Sequence, residues 1–281
     1  MSSKDMQVIG ICRFSYPALG GFQVEHETIQ QREKYLYDPV RMEDKFRSFE
    51  FLTLPPLRAQ TDPNFTFLVV IGENMPEIYV ERLLDLLADI PQAIVVPRAS
   101  GPHRKVMCEV VDKVRDGDTL PSLQFRMDDD DAVSVSFVAR LRCAAHDLRG
   151  LIANKPCTGM DFNQGYIARA DRLGLHCEKV VRTLWTPALA IAIKPEVRHC
   201  VLSYTHTKLV NRMPVTSFTG EDMFIRGHSD FNDSRQKDGL RTPKLSLLTP
   251  EEEARFKEIF NVDTDHIRAQ YSCYETTVGT P

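Results

Sequence analysis

Four short apolar runs, separated by segments with helical spacing, confine this chain to a narrow set of folds. Residues 8–12 are a continuous apolar run, the signature of a buried parallel strand; residues 65–71 are rich in β-branched and aromatic side chains, and residues 93–96 and 123–127 read as two further strands. Between the first two runs, Tyr35, Leu36, Met42, Phe46 and Phe49 recur at helical spacing, and Pro39 marks a break or a second start. Pro76 opens another helix, whose stripe is Val80, Leu83, Leu84 and Leu87, and residues 106–114 and 137–145 read as two more. Strands alternating with helices predict an α/β fold with a mostly parallel sheet and helices on both faces. In such sheets the ligand crevice lies beyond the carboxyl ends of the strands.

After Gly150 the pattern changes. Residues 162–168, 175–184 and 188–193 read as strands with short connections, which predicts a smaller mixed sheet. Residues 210–243 are dense in Gly, Pro, Ser, Asp and Asn and read as loop. Thr249-Pro250-Glu251-Glu252 then announces a last helix with a capping threonine, proline at the first position and acids in the first turn. No linker separates independent units, so residues 1–281 are expected to form one domain of two halves, dividing near residue 131.

Composition excludes several classes. The 281 residues carry 35 Lys+Arg against 39 Asp+Glu, a net charge of −4 that does not suit a nucleic-acid or anionic-membrane surface. The seven cysteines are scattered without a C-x-x-C pair, so neither a zinc site nor a disulfide framework is indicated, and a reducing, cytoplasmic setting is expected. The N-terminus is polar, which gives no secretory signal. The longest apolar stretch, residues 188–193, is six residues, against about 20 for a membrane span. Neither G-x-x-x-x-G-K-[ST], G-x-G-x-x-G nor G-x-S-x-G occurs.

The strongest chemical signal is Arg126-Met127-Asp128-Asp129-Asp130-Asp131. Four adjacent carboxylates at the end of a buried strand repel one another and raise one another's pKa unless a cation neutralises them. Mg²⁺ or Mn²⁺, hard cations that take oxygen ligands and share sites with phosphates, would do so. The plainer alternative is a solvated acidic turn that caps the helix beginning near Ser134.

These residues resemble the R-x-D-x-D-D form of the aspartate motif of nucleotide-sugar glycosyltransferases with the GT-A fold. With Ile11-Cys12-Arg13-Phe14-Ser15-Tyr16 and Leu54-Pro55-Pro56-Leu57-Arg58-Ala59-Gln60-Thr61-Asp62, the chain is similar to the rhamnosyltransferase family of bacterial polysaccharide biosynthesis over most of its length. The resemblance implies a nucleotide-sugar-binding half (about residues 1–131) and an acceptor half (about 132–281). It implies that Asp128 faces the ribose, that Asp130 holds a metal bridging the diphosphate, and that Asp131 supports the site or touches the sugar. Asp129 is expected to point away. Arg13, Arg104 in the basic turn Gly101-Pro102-His103-Arg104, and Arg126 are the expected donor contacts, since a guanidinium fork pairs bidentately with phosphate.

Inversion at the anomeric carbon would need a base for the acceptor hydroxyl. Asp222, in Gly220-Glu221-Asp222, resembles the Glu-Asp pair of inverting GT-A enzymes, and Asp161 is the second choice; Glu221 and Asp230 are further carboxylates of that half. His228, amid Arg226, Asp230, Asn232 and Arg235, is the candidate for completing the metal shell or covering the diphosphate, with His206 behind it. Trp185 either stacks on an acceptor sugar or belongs to the core. The expected activity is metal-dependent transfer of a sugar, with dTDP-rhamnose as a candidate donor, to a polysaccharide or glycoconjugate, with peripheral membrane association as an option. Two rivals are a nucleotidyltransferase, for which Gly20-Gly21 is a poor match to the Gly-rich signature, and a calcium- or carbohydrate-binding module, which lacks the spaced Asp/Asn/Gly loop.

Overall fold

The computed structural model describes residues 6–20, 26–115, 119–228 and 242–278, with side chains up to residue 272. The chain runs β1 (Val8–Arg13), α1 (Ile29–Leu36), α2 (Pro39–Ser48), a π-helical turn (Phe49–Thr53), α3 (Leu54–Arg58), β2 (Thr66–Gly72), α4 (Glu77–Leu87), β3 (Ala93–Arg98), α5 (His103–Asp112) and β4 (Ser122–Met127). It continues with β5 (Ala132–Val133), α6 (Phe137–Asp147), α7 (Arg149–Asn154), β6 (Cys157–Phe162), β7 (Gln164–Asp171), β8 (Gly174–Val181), β9 (Leu189–Ile193), β10 (Val215–Phe218), β11 (Phe224–Gly227), β12 (Ser246–Leu247), α8 (Pro250–Phe260) and α9 (Thr264–Val278).

The expected break at Pro39 is real. Thr28 caps α1 reciprocally with Gln31, whereas Asp38 caps α2 through the amides of Val40 and Arg41, with proline in the first turn. Thr249 and Glu252 form the same reciprocal cap on α8.

One sheet has the order β10-β6-β9-β4-β1-β2-β3. Only β9 runs against its neighbours, so the sheet is mostly parallel, as expected. Its strands alternate sides by the two-residue period. Val8, Cys12, Phe67, Val69, Leu123 and Phe125 meet α2, α4 and α6 on one face. Ile9, Ile11, Leu68 and Val70 meet α5 and the turns at 201–203 and 206–211 on the other. Gly10 is needed here for space: a Cβ at that position would lie 2.4 Å from the Phe125 ring and 2.8 Å from that of Phe67.

The second sheet, β12-β8-β7-β11-β5, is mixed and packs on Phe256 and Phe260 of α8 and Ile267 of α9. β4 ends in the first sheet and β5 begins in the second, so Asp128 to Asp131 form the crossing between them.

Three sequence expectations need correction. The stretch 210–243 is not all loop, because Val215–Phe218 extends the first sheet beside β6 and Phe224–Gly227 inserts between β7 and β5. The strand expected at 162–168 is two strands, β6 and β7, with Asn163 between them. Leu84 is 50% exposed, so the buried stripe of α4 is Leu83 and Leu87. Among the described residues, no helix is long and apolar enough to cross a membrane.

Candidate active site

The carboxyl ends of β1 and β4 lie side by side, and the loop that follows β3 reaches toward them. Arg13 closes β1, and its Nη2 lies 3.2 Å from Oδ1 of Asp128, just past β4. The loop after β1 is tied to the loop after β3: Tyr16 Oη donates to the Ala99 carbonyl (2.7 Å), and the Leu19 amide donates to Gly101 O (2.9 Å). This brings the first turn of α5, with His103 and Arg104, to the crevice edge. Arg126 is on β4, two residues before Asp128 and on the same side of the strand.

The four aspartates have four different fates. Burial alone would raise the Asp128 carboxyl, but Arg13, then Arg126 and Arg226, pull it down to about 2. Asp129 turns inward and pairs with Lys45 of α2 at 2.5 Å, with both side chains almost wholly buried. Asp131 folds back: its oxygens accept from the amides of Asp128 (3.1 Å) and Gly227 (3.3 Å). Burial, reinforced by Asp130 and Asp128, raises its pKa well above the ordinary value. Asp130 is 94% buried, and its Oδ2 has no hydrogen-bond partner. Burial raises its pKa too, and Asp128 adds to the rise against Lys45 and Arg226.

Two devices hold this turn. The Thr53 hydroxyl, at the end of the π-helical turn, is shared between the carbonyls of Asp129 (3.1 Å) and Asp131 (2.7 Å); single π turns in helices are frequent at functional sites. On the other side, β11 presses its last residue against the turn. A Cβ on Gly227 would lie 2.2 Å from the Asp130 carbonyl oxygen, so only glycine fits.

Asp130 and His228 line one cavity of about 300 Å³, together with Asp44, Arg47, Arg169 and Asp171. The two residues assigned to a metal from the sequence are therefore brought together. Among the described residues no cluster of three or more His, Cys, Asp or Glu could hold a metal. A buried carboxylate oxygen without a donor, beside a cavity that His228 also lines, still fits a hard cation that takes its other ligands from water and phosphate. Asp230, Asn232 and Arg235 lie outside the described residues.

The crevice on the Asp128 side is strongly electropositive. Burial, with Arg13 and then Arg126 adding to it, lowers the pKa of His103 to about 3, so its imidazole is neutral, and its Nε2 is buried without a partner. His206 pairs through Nδ1 with the Leu184 carbonyl, and burial and Arg126 lower its pKa as well. Arg226 acts on Asp128, Asp130 and Asp131 alike and lies 4.8 Å from the Trp185 ring centroid, a cation–π contact that fixes the half-buried Trp185 beside the site. Arg104 is exposed on the first turn of α5.

The two expected bases sit in different surroundings. Asp222 is at the far end of β11 from Gly227, five residues or about 16 Å away along a strand. Its carboxylate accepts from Gln164 (2.7 Å), Tyr166 Oη (2.9 Å), Lys179 (2.9 Å) and Arg255 (2.8 Å). Burial would raise its pKa, but these donors hold it below the ordinary value, so it is an anchor for β7, β8 and α8 rather than a proton acceptor. Asp161 ends β6 at the same sheet edge as Asp128 and is fully buried. Its Oδ2 accepts from the Leu184 amide (3.0 Å) and the Ser217 hydroxyl (2.8 Å) and so holds the turn that carries Trp185 and receives His206, while its Oδ1 is buried without a partner and burial raises its pKa.

Residues 7–241 match the family model described as "Putative rhamnosyl transferase". The chain belongs to this family. No curated protein matches the chain. Among solved structures, the S. aureus TarS fragment 1–349 shares 11% identity over 79% of this chain, with a TM-score of 0.39, and S. aureus TarS shares 10% over 80%, also at 0.39. The chain spans 60% and 37% of the lengths of those two. The S. aureus TarS 1–349 complex with UDP-GlcNAc shares 9% identity over 97% of this chain and 73% of that one, with a TM-score of 0.41.

Sequence reasoning missed Lys45, Thr53, His103 and Arg226 as parts of the site. Lys45 and Thr53 lie in an ordinary amphipathic helix and its continuation, where nothing local marks them. His103 belongs to the same basic turn as Arg104, so the local sequence does mark it, and Arg226 is marked only by standing two residues before His228.

Proposed function

We propose that this chain is a divalent-cation-dependent glycosyltransferase that moves a sugar, rhamnose by its family, from a nucleoside-diphosphate donor to a saccharide or glycoconjugate acceptor. One observation carries the reading. Of four consecutive aspartates, three are already engaged, by Arg13, by Lys45 and by two backbone amides, and the fourth, Asp130, keeps a buried oxygen with no donor. Burying a carboxylate without a partner is costly, so its retention at a crevice supports a cation site.

In this reading Asp130 and His228 hold Mg²⁺ or Mn²⁺, which when bound neutralises the charge developing on the departing diphosphate. Arg13, Arg126 and Arg226 form a preorganised cradle for that diphosphate, and the neutral His103 and His206 leave the positive charge to these arginines. Asp128, ionised by the same arginines, accepts from a ribose hydroxyl. Asp161 keeps Trp185 and His206 at the acceptor-side wall through the Leu184 peptide.

Calorimetric titration of dTDP and UDP, with and without Mn²⁺, tests this. The expected result is nucleoside-diphosphate binding that requires the cation and weakens at least tenfold in Asp130→Asn, with an unchanged circular dichroism spectrum. Binding indifferent to cation, or cation binding indifferent to nucleotide, would overturn it.

A further inference from the structure

Away from the acidic turn, two of the cysteines face each other on the α5 side of the first sheet. Cys108 is on α5, half-buried, and Cys200 is fully buried just before the 201–203 turn. Their Sγ atoms are 3.2 Å apart across 92 residues of sequence. A third group completes the cluster. Ser203 Oγ accepts from the Cys200 amide (3.2 Å), which leaves its own proton to donate to Cys108 Sγ, 3.0 Å away.

We propose that Cys108 and Cys200 form a reactive dithiol, in which Cys108 is the site of oxidation by a peroxide and Cys200 resolves the product to an intramolecular disulfide. The chemistry balances without further reagents. The Cys108 thiolate attacks one peroxide oxygen, breaking the O–O bond and giving a sulfenic acid and water once a proton is taken up. The Cys200 sulfur then attacks the Cys108 sulfur and displaces the second water, so two thiols and one hydrogen peroxide become one disulfide and two waters. The sulfurs need to close by only about 1 Å to bond.

The surroundings assign the two roles. The neighbouring Cys200 thiol and Ser203 hydroxyl favour a thiolate at Cys108; these contacts outweigh burial and the opposing charge of Asp112, lowering Cys108 to about 6. The contact with Cys108, with burial, pushes Cys200 up. Cys108 is thus the attacking thiol and the more accessible one, and Cys200 the protected resolving one. Closure would join α5, which carries His103 and Arg104 at its start, to the segment whose Val201 amide donates to Gln124 on β4, two residues before Arg126.

The test is independent of the transferase reading. Wild-type protein is treated with hydrogen peroxide, digested and analysed by mass spectrometry. The expected product is a Cys108–Cys200 linked peptide pair, about 2 Da lighter than the two thiols and reversed by dithiothreitol. Cys200→Ser should stop at a Cys108 sulfenic acid trapped by dimedone, and Cys108→Ser should give neither. Iodoacetamide at pH 5.5 should modify Cys108 on the order of tenfold faster than N-acetylcysteine, after allowing for the lower nucleophilicity of a low-pKa thiolate. Oxidation of the exposed Cys143 without any 108–200 linkage would overturn the proposal, and this readout needs only the wild-type chain.

Discussion

The Lys45 ammonium lies 2.5 Å from Asp129 Oδ1, and the two side chains are 3% and 4% exposed. This ion pair fixes the second residue of the acidic turn to α2 and takes it out of contention for a metal. Removing one partner of a buried pair leaves an uncompensated charge, so Lys45→Met is expected to cost about 3–5 kcal/mol. Chemical denaturation measures it, and the Lys45→Met, Asp129→Leu double variant should recover most of the loss. A single variant as stable as wild type would show that the pair does not pin the turn.

Gly227 makes a second contact with the same turn, through its backbone. Gly227→Ala places a methyl group 2.2 Å from the Asp130 carbonyl oxygen, and neither backbone can yield without moving the turn. Overpacking of this kind costs about 1–3 kcal/mol. Because the displaced residue is Asp130, cation-dependent nucleotide affinity should fall further than stability accounts for, which parallel calorimetry and thermal melts would separate.

Asp222 should behave as a structural anion. Its native pKa lies below the unfolded value of 3.8, so its stabilisation is complete above that pH and is lost as the pH falls through the native value. Asp222→Asn is expected to lower stability at pH 7 by about 1–3 kcal/mol, with the gap to wild type closing below pH 3.8 and nucleotide affinity unchanged. Loss of turnover in a fully folded Asp222→Asn would restore it as the base.

His103 titrates in the opposite sense to a surface histidine. Its native pKa of about 3 lies below the ordinary histidine value of 6.5, so the unfolded chain binds the extra proton first as the pH drops. Stability should therefore decline between pH 6.5 and pH 3, and His103→Gln should flatten that part of the profile. Nuclear magnetic resonance should find the His103 ring unprotonated from pH 8 to pH 5; a midpoint near 6.5 would show that burial and the neighbouring arginines do not set its charge.

The strands expected at 8–12, 65–71 and 123–127 were legible because the first two are continuous apolar runs and the third alternates apolar with polar side chains, patterns that need no knowledge of neighbours. The break at Pro39 and the cap at Thr249 were legible because proline and capping hydroxyls act within one helical turn. β10 and β11 were hidden: each has four residues, flanked by Pro, Gly and Asp. Their stability comes from pairing with β6, β7 and β5, which local composition does not encode.

The acidic turn shows the same boundary most sharply. Sequence alone determined that four carboxylates follow a buried strand at a sheet edge, because alternation and charge are local properties. Which aspartate pairs with Arg13, which with Lys45, which with the Gly227 amide and which keeps an open oxygen was decided only by tertiary structure. Four identical neighbouring side chains differ only in what the folded chain places against them, and those partners come from residues 13, 45 and 227, far away along the chain.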